Sequence, residues 1–165
     1  MSDRMPAEIR IGGPVKRKDL AEFLSEVEDS GGGLEWGEQF SPKDEKELLK
    51  AVKDDELRLV DDEAASGEFS SLEDFLKQHK IPFTRQTDGK YEYDPEVVHY
   101  RPGHEPEILF FITGKDGQRT MFEEDVRKIE KLLTKRGTVG ADEAVLLINK
   151  LLPPVPPLPA FRIED

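Results

Sequence analysis

Residues 83 to 121 constrain the fold of this chain more than any other stretch, because strand-forming runs alternate there with turn signals. The turn signals are Asp88-Gly89, Asp94-Pro95, Pro102-Gly103 and Asp116-Gly117. Aspartate-glycine between such runs favours a hairpin, since glycine supplies the positive φ that a tight turn needs. The stretch therefore predicts an antiparallel meander, in which residues 83–86 turn back through residues 90–93 before the strand at 97–100.

Within the meander, Ile108 to Ile112 form the most apolar run of the chain. A continuous apolar run is typical of a strand that is covered on both faces. We therefore expect residues 107–113 to be the central strand of the sheet, with the side chains from Leu109 to Ile112 in the core.

Apolar spacing elsewhere predicts strands at residues 7–11 and 57–60, a short edge strand at 34–36, and a first helix over 20–27. Capping residues indicate the starts of four more helices, namely Ser41, Ser70, Thr120 and Asp142.

This mixture of elements indicates an α+β fold. We expect a mixed, largely antiparallel sheet built on the 83–121 meander, with about five helices that lie mostly on one face. Residues 1–137 are predicted to form a single α+β domain. Residues 138–165 are predicted to form a C-terminal helix and a proline-rich tail that pack on that domain.

The composition excludes several classes of site. The 165 residues include no cysteine, so disulfides, zinc–thiolate sites and cysteine nucleophiles are excluded. The N-terminus lacks the apolar core of a secretory signal, and no apolar run is long enough to cross a membrane. We therefore expect a soluble cytoplasmic protein with no membrane partner.

The net charge of −12 argues against nucleic-acid binding, which needs clustered lysine and arginine, and suits a basic protein partner. Residues 41–75 hold 12 acidic and 5 basic side chains, and residues 61–67 are predicted to be an acidic loop. We predict a partner-binding surface there. Its residues are Asp54, Asp55, Asp61, Asp62 and Glu63. The alternative is a solvated surface that only keeps the protein soluble.

No residue is assigned a catalytic, cofactor-binding or metal-binding role. His99 and His104 are the most metal-like pair, but an Arg-Pro-Gly turn separates them and zinc needs three or four ligands, so we expect no tightly bound transition metal. His79 is either a general base or a helix-end histidine near the C-terminal dipole. Glu92 and Glu107 are the acid/base candidates of an enzyme, and solvated strand faces are the alternative.

Three further patterns have two interpretations each. Gly12-Gly13 ahead of basic residues 16–18 could hold an anion, or the charges could be solvated. An aromatic-basic face could bind single-stranded nucleic acid, or its rings could pack across strands; its residues are Tyr91, Tyr93, Tyr100, Arg85, Lys90 and Arg101. The prolines of residues 153–159 resemble ligands of aromatic-lined grooves, whereas the apolar residues between them indicate a tail pinned to its own domain.

These observations leave the biochemical function open. The first hypothesis is a non-enzymatic, acidic protein-interaction or regulatory module. The alternatives are a small enzyme that uses sheet carboxylates or histidine, and an acidic protein that imitates nucleic acid or masks a basic partner. A contiguous exposed apolar patch would favour the first hypothesis, and perturbed carboxylates in a closed pocket would favour the enzyme.

The predicted core strand yields a stability test. Replacing Phe110 by alanine should lower the free energy of unfolding by about 3–5 kcal/mol, because the change removes buried apolar surface and leaves a cavity. Urea denaturation measures the difference. A loss below about 1 kcal/mol would place Phe110 outside the core.

Overall fold

The computed structural model describes residues 3–90, 94–113, 118–134 and 138–165, with the side chains of 105, 106, 109–113, 118, 138 and 139 left aside. The strands are β1 (Arg4–Ile11), β2 (Val15–Lys16), β3 (Leu57–Ala65), β4 (Phe83–Thr87), β5 (Glu96–Arg101), β6 (His104–Thr113), β7 (Gln118–Arg119) and β8 (Ile163–Glu164). The α-helices are α1 (Leu20–Asp29), α2 (Glu45–Ala51), α3 (Ser70–Gln78), α4 (Glu123–Leu133) and α5 (Thr138–Leu151).

Six strands form one sheet in the order β3-β1-β4-β5-β6-β7, and every pairing between neighbours in it is antiparallel. Strands β2 and β8 form a separate parallel pair. The prediction of an α+β fold with a largely antiparallel sheet is therefore confirmed. Among the described residues, no helix is both long and apolar enough to span a membrane.

The meander forms from β4 to β7, but its first pairing differs from the predicted one. Strand β4 pairs with β1 on one side and with β5 on the other, where Phe83 lies opposite Tyr100 and Thr87 opposite Glu96. Both edges of β4 are thus occupied, so the predicted pairing with residues 90–93 is wrong. Residues 91–93 themselves, and the predicted turn at 114–117, lie outside the described residues.

The predicted strand at 107–113 lies within β6, one position from the edge of the sheet, so its central placement is wrong. The inner strands include β1, which pairs with β3 and β4 across large distances in the chain. Local turn signals carry no information on such long-range pairings, which explains the error. The side chains of residues 109–112, which we expected in the core, lie outside the described part of the chain.

The core fills one face of the sheet. Ile9 and Ile11 of β1 are fully buried there, opposite Leu59 and Leu57 of β3. Helices α1, α2 and α3 cover this face with the same apolar cluster. The buried helix residues are Phe23, Val27, Leu48, Ala51, Leu72, Phe75 and Leu76. The amphipathic spacing that predicted α1 therefore places Phe23 and Val27 in the core.

The predicted acidic loop at 61–67 is wrong for its first residues, because β3 continues to Ala65. A bulge accommodates this extension. Met5 lies opposite Ala64 and Ala7 opposite Asp61, so β3 uses one more residue than β1 around Pro6. Proline has no N–H to give to a ladder and is tolerated at such irregularities.

Several predicted helix starts are displaced. Helix α2 begins at Glu45, where the side chain of Asp44 accepts a hydrogen bond from the Glu47 amide, so the start at Ser41 is wrong. Asp44 is the better cap because its carboxylate is also favoured at the positive end of the helix dipole.

Helix α3 begins at Ser70 as predicted, but Phe69 rather than Ser70 is its N-cap. Phe122 rather than Thr120 is the N-cap of α4, so the start at Thr120 is wrong. Helix α5 begins at Thr138, so Asp142 lies inside it. The short strand predicted at 34–36 is wrong, because these residues form a bend and a turn. The preceding residue, Gly33, forms an isolated bridge with Val60.

The C-terminal segment crosses the domain by way of backbone hydrogen bonds. The Gly13 amide donates to the Pro159 carbonyl (3.3 Å), and the Phe161 amide donates to the Asp55 carbonyl (2.7 Å). The Phe161 ring is 6% exposed and lies 6.0 Å from the ring of Phe23. The last apolar side chains thus complete the core, while the division of the chain at residue 137 stays a prediction.

Replacing Phe161 by alanine should lower the free energy of unfolding by about 3–5 kcal/mol, since the ring fills the core next to Phe23. The exposed neighbour Ala160, replaced by serine, is the control and should change it by less than about 0.5 kcal/mol. Urea denaturation followed by circular dichroism measures both. Equal stabilities of the two variants would show that the segment adds nothing to the core.

Candidate functional site

The outer edge of β3 carries the predicted partner-binding residues Asp61, Asp62 and Glu63. Gly33 exchanges two backbone hydrogen bonds with Val60 at this edge (2.8 and 2.9 Å). Beyond Val60, Asp61, Ala64 and Ala65 pair with β1 on the inner side, while Asp62 and Glu63 lie in the bulge. Among the described residues, no strand pairs with the outer side of this stretch. The acidic part of β3 therefore borders an open sheet edge.

Trp36 stands beside this open edge. Its side chain is 45% exposed and lines a surface depression together with Pro6, Asp62 and Asp88. The loop that carries Trp36 is closed at its base, where the Phe40 amide donates to the Gly32 carbonyl (2.9 Å). An indole held on a closed loop among carboxylates can stack on a guanidinium or ammonium group.

A second depression adjoins the first at Asp62. It is lined by Gly37, Glu38, Gln39, Asp61, Asp62 and Glu63. Among the described residues, neither depression has a lysine or an arginine in its lining. We call the two depressions together the acidic groove. Its charge and its indole suit a cationic side chain.

The five predicted partner-binding residues do not form one surface. Asp61, Asp62 and Glu63 line the acidic groove, but Asp54 and Asp55 form the tight turn that precedes β3. About six residues of extended chain, or roughly 20 Å, separate the two groups. Both aspartates of the turn have positive φ, and the Asp55 carbonyl accepts from the tail. Their role is therefore to shape the turn and hold the tail.

The sequence reasoning missed Trp36 as a site residue. It assigned the residue to an edge strand, whereas the structure places it on a loop. The available signal was the single tryptophan of the chain, which follows three glycines and lies between two glutamates.

A buried ion-pair cluster joins α3 to the sheet. The Arg85 side chain, 4% exposed, donates to Glu96 Oε1 (2.9 Å) and to the Gly67 carbonyl (3.0 Å), and its Nε lies 3.0 Å from Glu73 Oε1. Burial raises the pKa of Glu73, although the Arg85 charge opposes the shift. The same carboxylate accepts from the Phe69 amide at the start of α3, so the cluster fixes that helix.

Glu107 lines the same cavity as Glu73 and Arg85. Lys77 Nζ lies 2.8 Å from the Glu107 carboxylate. The hydrogen bond from Lys77 lowers the pKa of Glu107. A general acid near neutral pH needs a raised pKa, so Glu107 does not suit that role alone. Glu92, the other predicted candidate, lies outside the described residues.

His99 is held by a polar network on the opposite face of the sheet. Thr84 Oγ1 lies 3.0 Å from His99 Nδ1 and accepts from Arg101 Nη2 (3.0 Å). Because Thr84 Oγ1 has two acceptor sites, it can accept from Arg101 and either donate to an unprotonated Nδ1 or accept from a protonated one. Burial, with the charges of Arg101 and other arginines, lowers the pKa of His99 to about 4. The network therefore keeps the imidazole neutral.

The histidines are not brought together as metal ligands. His99 lies opposite Ile108 in the β5–β6 ladder, whereas His104 lies opposite Arg101. Within the described ranges, no group of three or more histidine or carboxylate side chains could hold a metal ion. His79 ends α3, stacks on Phe75 at 4.2 Å and lies 3.2 Å from an Asp19 carboxylate oxygen.

Gly12 and Gly13 make room for the tail instead of holding an anion. A methyl group at Gly12 would lie 2.3 Å from the Pro159 carbonyl oxygen, and one at Gly13 would lie 2.5 Å from the Arg162 amide nitrogen. The predicted aromatic-basic face is wrong for Tyr100, Arg85 and Arg101, which are buried, and the Tyr100 ring packs against Phe83 across the strands. Tyr91 and Tyr93 lie outside the described residues.

Comparison with known proteins gives no relative from which a role could be transferred. No protein-family model, no curated protein and no solved structure matches the chain.

The lowered pKa of His99 predicts a pH-dependent stability. An unfolded histidine takes up its proton near pH 6.5, but folded His99 does so only near pH 4. The unfolded chain therefore binds more protons between these values, and stability falls as the pH drops from about 6.5 to 4. Replacing His99 by glutamine should flatten this fall.

Urea denaturation of the wild type and of His99→Gln at several pH values between about 7 and 4 measures the effect. His104→Gln, which removes an exposed histidine, is the matched control. Identical pH slopes for the wild type and His99→Gln would contradict the assignment.

Proposed function

We propose that this protein is a non-enzymatic protein-interaction module that binds a basic segment of a partner protein in the acidic groove. The observation that supports this most directly is the exposed Trp36 beside Asp62, at an open sheet edge. Tryptophan is enriched among the residues that dominate binding energies, and an indole among carboxylates matches a cationic side chain.

The electrostatics support a partner that is rich in arginine. A guanidinium can stack on the Trp36 ring and bind a carboxylate of the groove through two parallel hydrogen bonds. The net charge of −12 would also accelerate the encounter with a basic partner. The cytoplasm is the setting that we propose, with no membrane partner and no nucleic acid bound.

A partner segment could also use the backbone of β3. An extended peptide can add to an exposed sheet edge, where main-chain hydrogen bonds give affinity and alternate side chains give specificity. The edge beside Asp61 and Glu63 offers little of this kind, because it is bulged and the Glu63 amide already donates to Asp61 Oδ1 (2.9 Å). We therefore propose that side-chain contacts with Trp36 and the carboxylates contribute most of the affinity.

The enzyme hypothesis is the second candidate, and one observation favours it. Glu73, with a raised pKa, and Glu107, with a lowered pKa, line the same cavity of about 400 Å³ beside α3. Such opposed shifts are typical of acid/base pairs. The interaction module is preferred because Arg85 and the Phe69 amide both contact Oε1 of the buried Glu73 carboxylate, which gives this group a structural role.

The acidic groove can be tested with Trp36 as the reporter, since it is the single tryptophan of the chain. An octa-arginine peptide should change its fluorescence, an octa-lysine peptide should bind more weakly, and octa-glutamate should not bind. Affinity should fall severalfold between about 0.05 M and 0.5 M salt, because exposed charge pairs are screened. An unchanged tryptophan spectrum at saturating octa-arginine would contradict the site.

A matched pair of variants separates the groove from net charge. Asp62→Asn with Glu63→Gln should weaken octa-arginine binding about three- to tenfold, because two exposed ion pairs are lost. Asp142→Asn with Glu143→Gln makes the same chemical change at adjacent exposed residues of α5 and should leave the affinity within about twofold. An equal loss of octa-arginine affinity in the two variants would mean that binding depends only on the total charge of the protein.

A further inference from the structure

The residues after α5 show a period of three in their burial. Val155, Leu158 and Phe161 are half-buried or buried, whereas Pro154, Pro157 and Ala160 are exposed, as is Pro159. A polyproline II helix has three residues per turn, so residues three apart share one side of it. The segment 154–161 therefore has one side directed at the domain and one directed at solvent.

The inward side is anchored by contacts along its length. Val155 packs against the cluster around Val97, and Arg101 Nε donates to the Pro156 carbonyl (2.9 Å). Farther along, Leu158 lies close to Gly12, and Phe161 enters the core. These anchors hold the segment in one conformation while its outward prolines stay exposed.

We propose that Pro154 and Pro157 form a preordered proline ridge that binds the aromatic-lined groove of a proline-reading partner domain. The tail would then be both a ligand of an aromatic-lined groove, through its exposed side, and a segment pinned to its own domain, through its inward side. Pro154-x-x-Pro157 has the spacing that such grooves read, and it is the proline pair on the exposed side.

The anchoring gives the ridge an advantage over a free proline-rich chain. Binding a free segment costs the entropy of ordering its backbone, and a segment already held in the bound conformation avoids most of that cost. The ridge should therefore bind best while the tail is docked. It is a second interaction surface, which does not depend on the acidic groove.

The test uses the full-length chain with purified SH3 and WW domains as probes, since these read PxxP segments through aromatic grooves. Isothermal titration measures the affinity, and NMR of the labelled domain shows whether its groove is the contact. Pro154→Ala with Pro157→Ala should weaken binding at least tenfold. The matched control, Pro153→Ala with Pro159→Ala, alters two prolines outside the ridge and should change the affinity less than twofold.

A variant outside the tail tests the docked state. Gly12→Ala should dislodge the tail, because the added methyl group would lie 2.3 Å from the Pro159 carbonyl oxygen. Increased proteolysis of the tail, with an unchanged circular dichroism spectrum, would verify this. Weaker domain binding by Gly12→Ala supports the ridge. Tighter binding by Gly12→Ala would overturn it, as would the absence of binding to the wild type or equal losses in the two proline variants.

Discussion

The pairing of β1 with both β3 and β4 is the interaction on which the rest of the structure depends. Ile9, at its centre, lies opposite Leu59 on one side and Arg85 on the other. Through β1, the elements before residue 66 and the meander after residue 82 share one sheet. Without it, α1 and α3 would have no common apolar face to cover, and neither part could bury enough surface to offset its conformational entropy.

Local patterns predicted the elements better than their arrangement. The alternation of Ile9 and Ile11 and the helical spacing of Phe23 and Val27 each depend on one buried face, so the sequence carries that information. The order of the strands depends on which apolar faces meet across the chain. The run at 107–113 is strongly apolar and still lies next to the edge of the sheet, so hydrophobicity alone does not determine strand order.

The acidic end of β3 shows why the candidate site could be predicted only in part. The charge excess was visible in the sequence, but the bulge opposite Pro6 places Asp61, Asp62 and Glu63 on a strand. Charges and bulges on an edge strand also prevent sheets from joining edge to edge. The charges of the acidic groove therefore also protect this edge against aggregation. Trp36, which lines the groove, comes from a loop whose position no local pattern revealed.

The parallel pair between Val15 and Ile163 has a consequence for the motions of the protein. Only two residues of each strand take part, so this pair can open without disturbing the six-stranded sheet. Amide hydrogens at Val15 and Phe161, which donate to the Arg162 and Asp55 carbonyls, would then exchange with solvent through a local opening. Those of Ile9 would exchange only when the whole domain unfolds. We therefore expect two levels of cooperativity, with the short β2–β8 pair in the weaker one.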